Sequence, residues 1–436
     1  MGAPQIEKVA MGDSPRSKSP ASLAQEKPNP SWRSYVWDTL DKSPEERKLM
    51  FKLDAVILTF ASLGYFIKNL DQININNAFV NLLLTRVRPS IWIIACECTW
   101  AVLTILMIKC TNVNQLYALR FLIGLAESTF YPGMQYIIGC WYRKDELAKR
   151  SCIFHASGSI GSMFSGYLMA AVYKLEGAHG WRGWQWLFVI DAVISLPVAI
   201  AGFFFFPDDD VALAQERMRL EGRANRQPYT RSKAKKIFTS WHIWALTLLY
   251  VSFNNGAGIS GQPGFQIWLK GQGYSVKEYN TYPTTTSAIT VVTTWVYAWS
   301  SDSVFKGERW PPIVFSGVLN VVVYYSSLAA WDVPDGWKWG CFLLAGFGGG
   351  ISGLTFAWAH EICKDDNEER ALVTGSMNQM AYVFQAWVPL LIWQQARYPK
   401  GYITMIFFAV GMASTALLIK HLHRRELGKR VRVISA

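Results

Sequence analysis

The chain has 436 residues, of which 51% are hydrophobic and 17% are charged, and it carries a formal net charge of +12. Long apolar segments alternate with short polar loops, and this pattern excludes a soluble globular protein. The excess of Lys and Arg lies mainly in loops and tails that face anionic lipid, so it indicates no nucleic-acid partner.

Residues 1–52 form the first predicted element. The stretch up to Pro30 is rich in Ser, Pro and Lys and has no apolar core of the kind that a signal peptide needs. Such a composition cannot bury enough apolar surface to fold. We therefore expect residues 1–52 to be a disordered cytoplasmic tail.

A helix needs about 20 apolar residues to cross the hydrocarbon core of a bilayer. About eleven segments have this length, so the expected fold class is an all-α integral membrane protein. The predicted spans are Leu53–Val80, Ser90–Cys110, Leu116–Cys140, Ser151–Tyr173, Trp184–Phe206, Trp241–Gly261, Tyr282–Ser300, Pro312–Trp331, Trp339–His360, Ala371–Gln394 and Gly401–His421.

The longest internal polar stretch, residues 207–240, divides these spans into two groups. We expect it to be a cytoplasmic linker between an N-terminal helix bundle at 53–206 and a C-terminal six-helix bundle at 241–421. Residues 422–436 are predicted to form a basic cytoplasmic tail.

The distribution of Lys and Arg indicates that one span is absent, because cytoplasmic loops are enriched in these residues. With an additional span between Val80 and Asn81, cytoplasmic segments would hold 32 of the 43 Lys and Arg residues and external loops 7. Without that span the later segments invert, and cytoplasmic segments hold only 16. The few leucines before Arg86 cannot cross a bilayer. The charges thus predict a twelve-span register from which the second helix is missing.

Each half contains a short basic loop, Thr85–Pro89 in the first and Ser301–Pro311 in the second. In the twelve-span register, each loop lies between the second and third span of its half. Weak internal repetition of this kind is typical of transporters built from duplicated bundles, whose substrate sites lie between the repeats.

Three groups of residues are similar to those of a known family. They are Gly64–Gln72 with Asn74, Asn76 and Asn77; Arg120–Phe121 with Gly124–Glu127 and Tyr131–Gly133; and Ala359–Glu361 with Asp366–Arg370. Through them the chain from Ser31 onward resembles the major facilitator superfamily. Within it, the chain is similar to the fungal anion:cation symporter (allantoate permease) family and most of all to its pantothenate permeases.

The resemblance implies secondary active transport by a two-bundle fold with about eleven of the usual twelve transmembrane helices. Family members have a loop and a whole second helix where Val80 and Asn81 are adjacent in this chain. A small carboxylate would bind between the two bundles, which rock around the central site.

Ionisable side chains inside a span cost about 2.5–3.5 kcal/mol each, so they mark wet cavities or buried pairs. Lys68 and Asp71 are three residues apart and share a helix face. Arg120 and Glu127 lie two turns apart on one face. The planar guanidinium of Arg120 matches a substrate carboxylate. The alternative for each pair is a self-neutralised structural ion pair.

Amide side chains supply the hydrogen-bonding groups that hydroxyl and amide groups of a substrate require. Asn254–Gly256 is expected to interrupt the seventh span of the twelve-span register, and such breaks often line binding sites. The expected substrate-binding residues are Lys68, Gln72, Asn77, Arg120, Asn255 and Asn378. The expected proton-coupling residues are Asp71 and Glu127.

Other candidates have weaker support. Glu97, His155 and Asp191 are single polar groups within spans. The seven cysteines form no zinc-spaced pair, and His360-Glu361 lacks the second His of a zinc-protease motif. We therefore expect no metal, no cofactor, no catalytic residue and no enzyme activity.

These observations predict a proton-coupled symporter of a small organic carboxylate such as pantothenate. Its expected partners are the substrate anion, the proton and the lipid membrane, and we expect a monomer in the plasma membrane. Two alternatives remain: an exporter of a fungal secondary metabolite with the same fold, and a truncated variant that no longer transports.

Overall fold

The computed structural model describes residues 37, 39, 42, 44–70, 89–127, 130–142, 144–172, 175–205, 230–256, 264–392 and 399–435. This part of the chain is almost entirely helical. Helices are expected of long apolar segments, because in lipid each backbone N–H and C=O must be satisfied within the segment itself.

The described residues of the first half form seven α-helices. They are α1 (Pro44–Leu53), α2 (Thr59–Leu70), α3 (Pro89–Met107), α4 (Val113–Glu127), α5 (Phe130–Trp141), α6 (Lys144–Val172) and α7 (Gly183–Phe205). A π-helical turn at Asp54–Leu58 connects α1 to α2, and a 3-10 turn at Ala178–Gly180 precedes α7. Helices α4 and α5 lie where the sequence predicts one span, Leu116–Cys140.

The second half contains longer and shorter helical pieces. They are α8 (Arg231–Thr239), α9 (Trp241–Gly256), α10 (Gly264–Gly271), α11 (Val276–Thr281), α12 (Pro283–Ser303), α13 (Trp310–Leu319), α14 (Ser326–Ala330), α15 (Asp335–Leu344), α16 (Gly346–Gly349), α17 (Ser352–Ile362), α18 (Asn367–Ile392) and α19 (Pro399–Ser435). A π-helical turn at Asn320–Tyr325 joins α13 to α14.

The structure differs from the predicted N-terminal tail in one respect, since α1 begins at Pro44. Leu49 and Met50 of α1 are buried. In the turn that follows, both carboxylate oxygens of Asp54 accept hydrogen bonds from the guanidinium of Arg150, at 2.6 and 2.9 Å. Apolar burial and a two-pronged charged hydrogen bond hold this segment against α6.

The predicted linker and the predicted C-terminal tail both contain helix. Helix α8 lies inside the predicted linker 207–240 and carries Thr230 as its N-cap, whose hydroxyl accepts from the backbone N–H of Lys233. Helix α19 continues through most of the predicted tail 422–436 and ends at Ser435. Helix thus extends beyond the apolar spans at both places.

Helix packing builds two halves and joins them. In the first half α2 packs on α6 and α3 on α7; in the second half α9 packs on α18 and α19. Helix α6 also packs along α12 and against α17, so it is the principal connection between the halves. The contact of α6 with α17 needs Gly353, because a Cβ there would lie 2.7 Å from the carbonyl oxygen of Ser151.

By length and hydropathy, three stretches within the described residues can cross a membrane: Trp310–Ala330, Asp335–Ile362 and Lys400–Lys429. Ile93–Met107 and Gln185–Ala201 are apolar but shorter. The predicted junction between Val80 and Pro89, where the second helix is expected to be missing, lies outside the described residues apart from Pro89 itself.

Candidate functional site

A chain of hydrogen bonds crosses from the first half to the second in the interior of the protein. The hydroxyl of Tyr131 on α5 lies 2.9 Å from the hydroxyl of Ser352 on α17. The hydroxyl of Tyr250 on α9 lies 3.0 Å from the same Ser352 oxygen. All three side chains are buried. Two tyrosines from opposite halves thus meet on one serine, and we call Tyr131, His155, Tyr250 and Ser352 the central cluster.

His155 of α6 makes a second connection between the halves. Its Nε2 lies 3.3 Å from the carbonyl oxygen of Gly349 and its Nδ1 lies 3.4 Å from the Tyr131 hydroxyl. A carbonyl can only accept, so Nε2 carries the hydrogen and Nδ1 accepts from Tyr131. His155 is the twelfth residue of the 29-residue helix α6 and lies in the second turn of the predicted span Ser151–Tyr173, whereas the other three members of the cluster lie well inside their predicted spans.

Aromatic rings surround the central cluster. The ring of Tyr131 is 4.8 Å from that of Tyr65 on α2 and 5.5 Å from that of Phe356 on α17. The ring of Tyr250 is 4.7 Å from that of Phe356. Tilted and edge-on contacts at these distances are favourable and exclude water. These rings therefore pack around the hydroxyls of the central cluster and help to hold them in place.

The ends of the spans that are predicted to be cytoplasmic are closed by direct contact. A Cβ added to Gly139 of α5 would lie 2.6 Å from the ring of His360 on α17. The guanidinium of Arg370 on α18 donates to the carbonyl oxygen of Gly139 at 3.4 Å. Since α5 belongs to the first half and the other two helices to the second, the halves touch below the central cluster.

Helix α8, which lies in the predicted linker, is also held to this end of the second half. The ammonium of Lys233 on α8 lies 2.6 Å from Glu368 and 3.2 Å from Asp366. Partial burial lowers the pKa of Lys233, but the hydrogen bonds and negative charges of these two carboxylates outweigh it, and the net pKa is raised. This ion pair ties α8 to the start of α18.

Four of the predicted site residues lie on or after α2. Lys68 is part of α2, and its side chain lies outside the described part of the structure. Asp71, Gln72 and Asn77 also lie outside the described residues. Their roles stay predictions. Tyr65, one turn before Lys68, packs beside the central cluster, so α2 does approach the interface between the halves.

The structure places Arg120 and Glu127 in different surroundings. The Arg120 guanidinium lies over the ring of Phe188 on α7, 5.2 Å from its centroid, and is half-buried. Glu127 ends α4 and is fully buried. Arg120 therefore faces the contact between α4 and α7.

Glu97 of α3 stands out among the weaker candidates. Its carboxylate is buried, and neither oxygen has a hydrogen-bond partner among the described residues. The carboxylate lies against α2, where a Cβ on Gly64 would be 3.2 Å from it. A charged carboxylate at this position costs several kcal/mol, so a proton or a cation must accompany it.

The predicted amides of the second half lie between α9 and α18. Asn255 donates to the carbonyl oxygen of Val251 at 2.9 Å, and its neighbour Asn254 donates to the side-chain oxygen of Gln385 at 2.9 Å. Asn378 is 1% exposed, and neither its amide nitrogen nor its oxygen has a hydrogen-bond partner in the described structure. It lies on α18 one turn before Ala381, whose carbonyl accepts from Asn255. The predicted interruption at Asn254–Gly256 is wrong, because α9 stays helical through Gly256.

Sequence reasoning missed Tyr131, Tyr250 and Ser352 as candidate site residues. Tyr131 was included only in the family motif, and Tyr250 and Ser352 were not singled out. One signal does mark the tyrosines. Tyrosine in a membrane protein is usual at the lipid–water interface, and one in the middle of a span must find a buried partner for its hydroxyl.

Comparison with known proteins agrees with this architecture. A family profile described as Major Facilitator Superfamily matches residues 75–389. The MFS transporter PfmaC of Pestalotiopsis fici is 33% identical, over 90% of this chain and 80% of its own. Pantothenate transporter liz1 of Schizosaccharomyces pombe is 31% identical, over 89% of this chain and 84% of its own. Pantothenate transporter FEN2 of Saccharomyces cerevisiae is 29% identical, over 88% and 85%.

A solved structure has the same fold. The MFS proton:xylose symporter XylE, bound to 6-bromo-6-deoxy-D-glucose, superimposes with a TM-score of 0.61 over 89% of each chain, at 13% sequence identity. The profile spans most of the chain, and a curated relative exceeds 30% identity over most of both proteins. This chain therefore belongs to the major facilitator superfamily, as its sequence motifs predict.

Proposed function

We propose that this protein is a proton-coupled symporter that takes up a small organic carboxylate such as pantothenate. The observation that carries the proposal is that two relatives named pantothenate transporters align with nearly nine-tenths of the chain. A buried polar cluster between the two halves supports it, because transporters of duplicated bundles bind substrate near the midplane at that interface.

In this proposal the substrate anion enters between the halves from outside. Lys68 or Arg120 neutralises the carboxylate, and the side chains of Gln72, Asn77, Asn255 and Asn378 bind its hydroxyl and amide groups. Asn378 supports this role, since its buried amide has no hydrogen-bond partner within the described structure. A substrate group is a suitable partner for such an amide.

The coupled proton binds Asp71 or Glu127. Glu127 supports this role because its carboxylate is buried in the membrane part of α4, where protonation removes the cost of a buried charge. The proton neutralises the side-chain carboxylate, and Lys68 or Arg120 neutralises the substrate anion. The two bundles can then reorient without moving a net negative charge.

Reorientation requires the central cluster to change. The 2.9 Å contact between Tyr131 and Ser352 spans the halves, and a substrate between them must separate these hydroxyls. We further propose that the protein works as a monomer in the plasma membrane, where uptake of an external vitamin takes place.

Uptake of labelled pantothenate tests the proposal. The chain is expressed in a yeast strain that lacks its own pantothenate transporter, and uptake is measured at external pH 5 and pH 7.5. Faster uptake at low pH, abolished by a protonophore, is the expected result. Surface expression without uptake of pantothenate or related acids contradicts it, and net efflux from preloaded cells would favour the exporter.

A further inference from the structure

A cluster of metal-binding side chains lies at the end of the second half that is predicted to be cytoplasmic. His242, Cys363 and Glu369 each offer one ligand atom, and these atoms lie within 4.8 Å of one another. His242 and Cys363 are buried, and Glu369 is partly buried. We propose that these three residues bind a zinc ion.

The three ligands suit zinc chemically. Zinc prefers thiolate, imidazole and carboxylate ligands in a tetrahedral arrangement, at distances of about 2.0–2.3 Å. His242 Nδ1 and Glu369 Oε1 are now 2.7 Å apart and share a hydrogen bond. An ion between them would need roughly 0.6 Å more separation, which rotation of the Glu369 side chain can provide. A water molecule would complete the tetrahedron.

The imidazole is already oriented for this role. Its other nitrogen, Nε2, lies 3.0 Å from Oε2 of Glu426 on α19, and the same oxygen accepts from the indole of Trp241 at 3.2 Å. Histidine ligands of metals commonly donate their second N–H to a carboxylate, which sets the ring orientation. Glu426 is therefore the positioning residue, and His242 presents Nδ1 to the ion.

An ion pair alone does not account for the cluster. A protonated His242 between Glu369 and Glu426 would explain the two carboxylates, but it gives no role to the thiol of Cys363 beside them. Cys363 is only 2% exposed. Upon binding, its thiol proton and any proton on Nδ1 pass to solvent, and zinc with thiolate, carboxylate and neutral imidazole carries no net charge.

Zinc can reach the cluster from the polar side. A cavity of about 600 Å³ opens there and is lined by His242, Glu369 and Glu426 together with charged residues of α8 and α19. His242 on α9 is more than 100 residues from the other two ligands, which lie just after α17 and in the first turn of α18. Bound zinc would join the ends of these helices and raise the melting temperature of the protein.

Cobalt serves as the probe, because a Co²⁺–thiolate bond absorbs near the ultraviolet and Co²⁺ occupies tetrahedral zinc sites. The full chain is purified in detergent, treated with a chelator and titrated with Co²⁺ and then Zn²⁺. We expect one ion per chain, the thiolate band, displacement of Co²⁺ by Zn²⁺ and a higher melting temperature with Zn²⁺.

Variants separate this site from adventitious binding. Cys363→Ser and His242→Gln should abolish the band, whereas Cys110→Ser, a partly exposed cysteine elsewhere in the chain, should retain it. Glu426→Gln keeps all three ligands and should weaken binding about 10- to 100-fold, as loss of an orienting carboxylate does. Absence of the band in the unmodified chain, or its persistence in a folded Cys363→Ser variant, would overturn the proposal. If Cys363→Ser does not fold, unchanged affinity in Glu426→Gln overturns it.

Discussion

The hydroxyl oxygens of Tyr131 and Ser352 lie 2.9 Å apart although the two residues are 221 positions apart in the chain. Tyr131 belongs to the first half and Ser352 to the second. Each side chain is almost completely buried. Their hydrogen bond therefore reports directly on whether the two halves are in contact at the centre of the protein.

Removing the Tyr131 hydroxyl tests whether this contact matters for transport. Tyr131→Phe keeps the aromatic ring but removes the hydroxyl that contacts Ser352 and His155. A hydrogen bond of this kind contributes about 1 kcal/mol, so we expect uptake to fall about fivefold at unchanged abundance. Tyr117→Phe is the matched control, because Tyr117 is 69% exposed on the same span. Equal uptake in both variants would show that the closed contact is not part of the transport cycle.

The proposed role of Arg120 depends on its planar fork. Arg120→Lys retains the positive charge but loses two-pronged binding of a carboxylate. Since hydrogen bonds to charged groups contribute about 1.5–3 kcal/mol, we expect KM for pantothenate to rise roughly 10- to 100-fold at normal abundance. Arg182→Lys, in an exposed loop, is the control. An unchanged KM would assign Arg120 to packing against Phe188, and loss of the protein from the membrane would indicate a structural ion pair.

Arg309 is expected to be a major stabilising residue of the second half. It is 2% exposed, and its guanidinium donates to Glu361 at 2.8 and 3.0 Å and also pairs with Asp302. Arg309→Ala removes the buried cation that pairs with the partly buried carboxylates of Asp302 and Glu361, and loss of one partner of such a pair costs about 3–5 kcal/mol.

The matched control for Arg309 is an exposed ion pair nearby. Arg424 is 62% exposed and lies 3.2 Å from Glu308. Arg424→Ala should cost less than about 1 kcal/mol. Thermal melting in detergent compares the two variants, and a similar small loss for both would show that the Arg309 network is not structurally important.

The orientation of the chain can be measured with single cysteines. Lys235 on α8 and Lys277 on α11 are both exposed, and the distribution of Lys and Arg predicts opposite sides of the membrane for them. In a background without native cysteines, Lys235→Cys should react with an impermeant maleimide only in permeabilised cells, and Lys277→Cys in intact cells. Labelling of Lys235→Cys in intact cells would contradict the twelve-span register and the proposed loss of the second helix.

Of the central cluster, sequence reasoning singled out only His155 as a candidate. The free-energy cost of an ionisable side chain inside the membrane was enough to identify Arg120, Glu127, Glu97 and His155 as groups that need a partner or a cavity. In the structure the side chains of Glu127 and Glu97 are buried. The structure also shows Arg120 against Phe188, a contact that no spacing along α4 could predict because the partner is on α7.

The sequence by itself determined the helical membrane fold and membership of the major facilitator superfamily, because apolar length and local motifs are properties of short segments. The contact of Tyr131 with Ser352 and the convergence of His242, Cys363 and Glu369 were decided only by the tertiary structure. Each joins helices that are far apart in the chain. Their approach depends on close helix packing at small residues such as Gly353, and on which face each helix turns inward, and neither is encoded in any single segment.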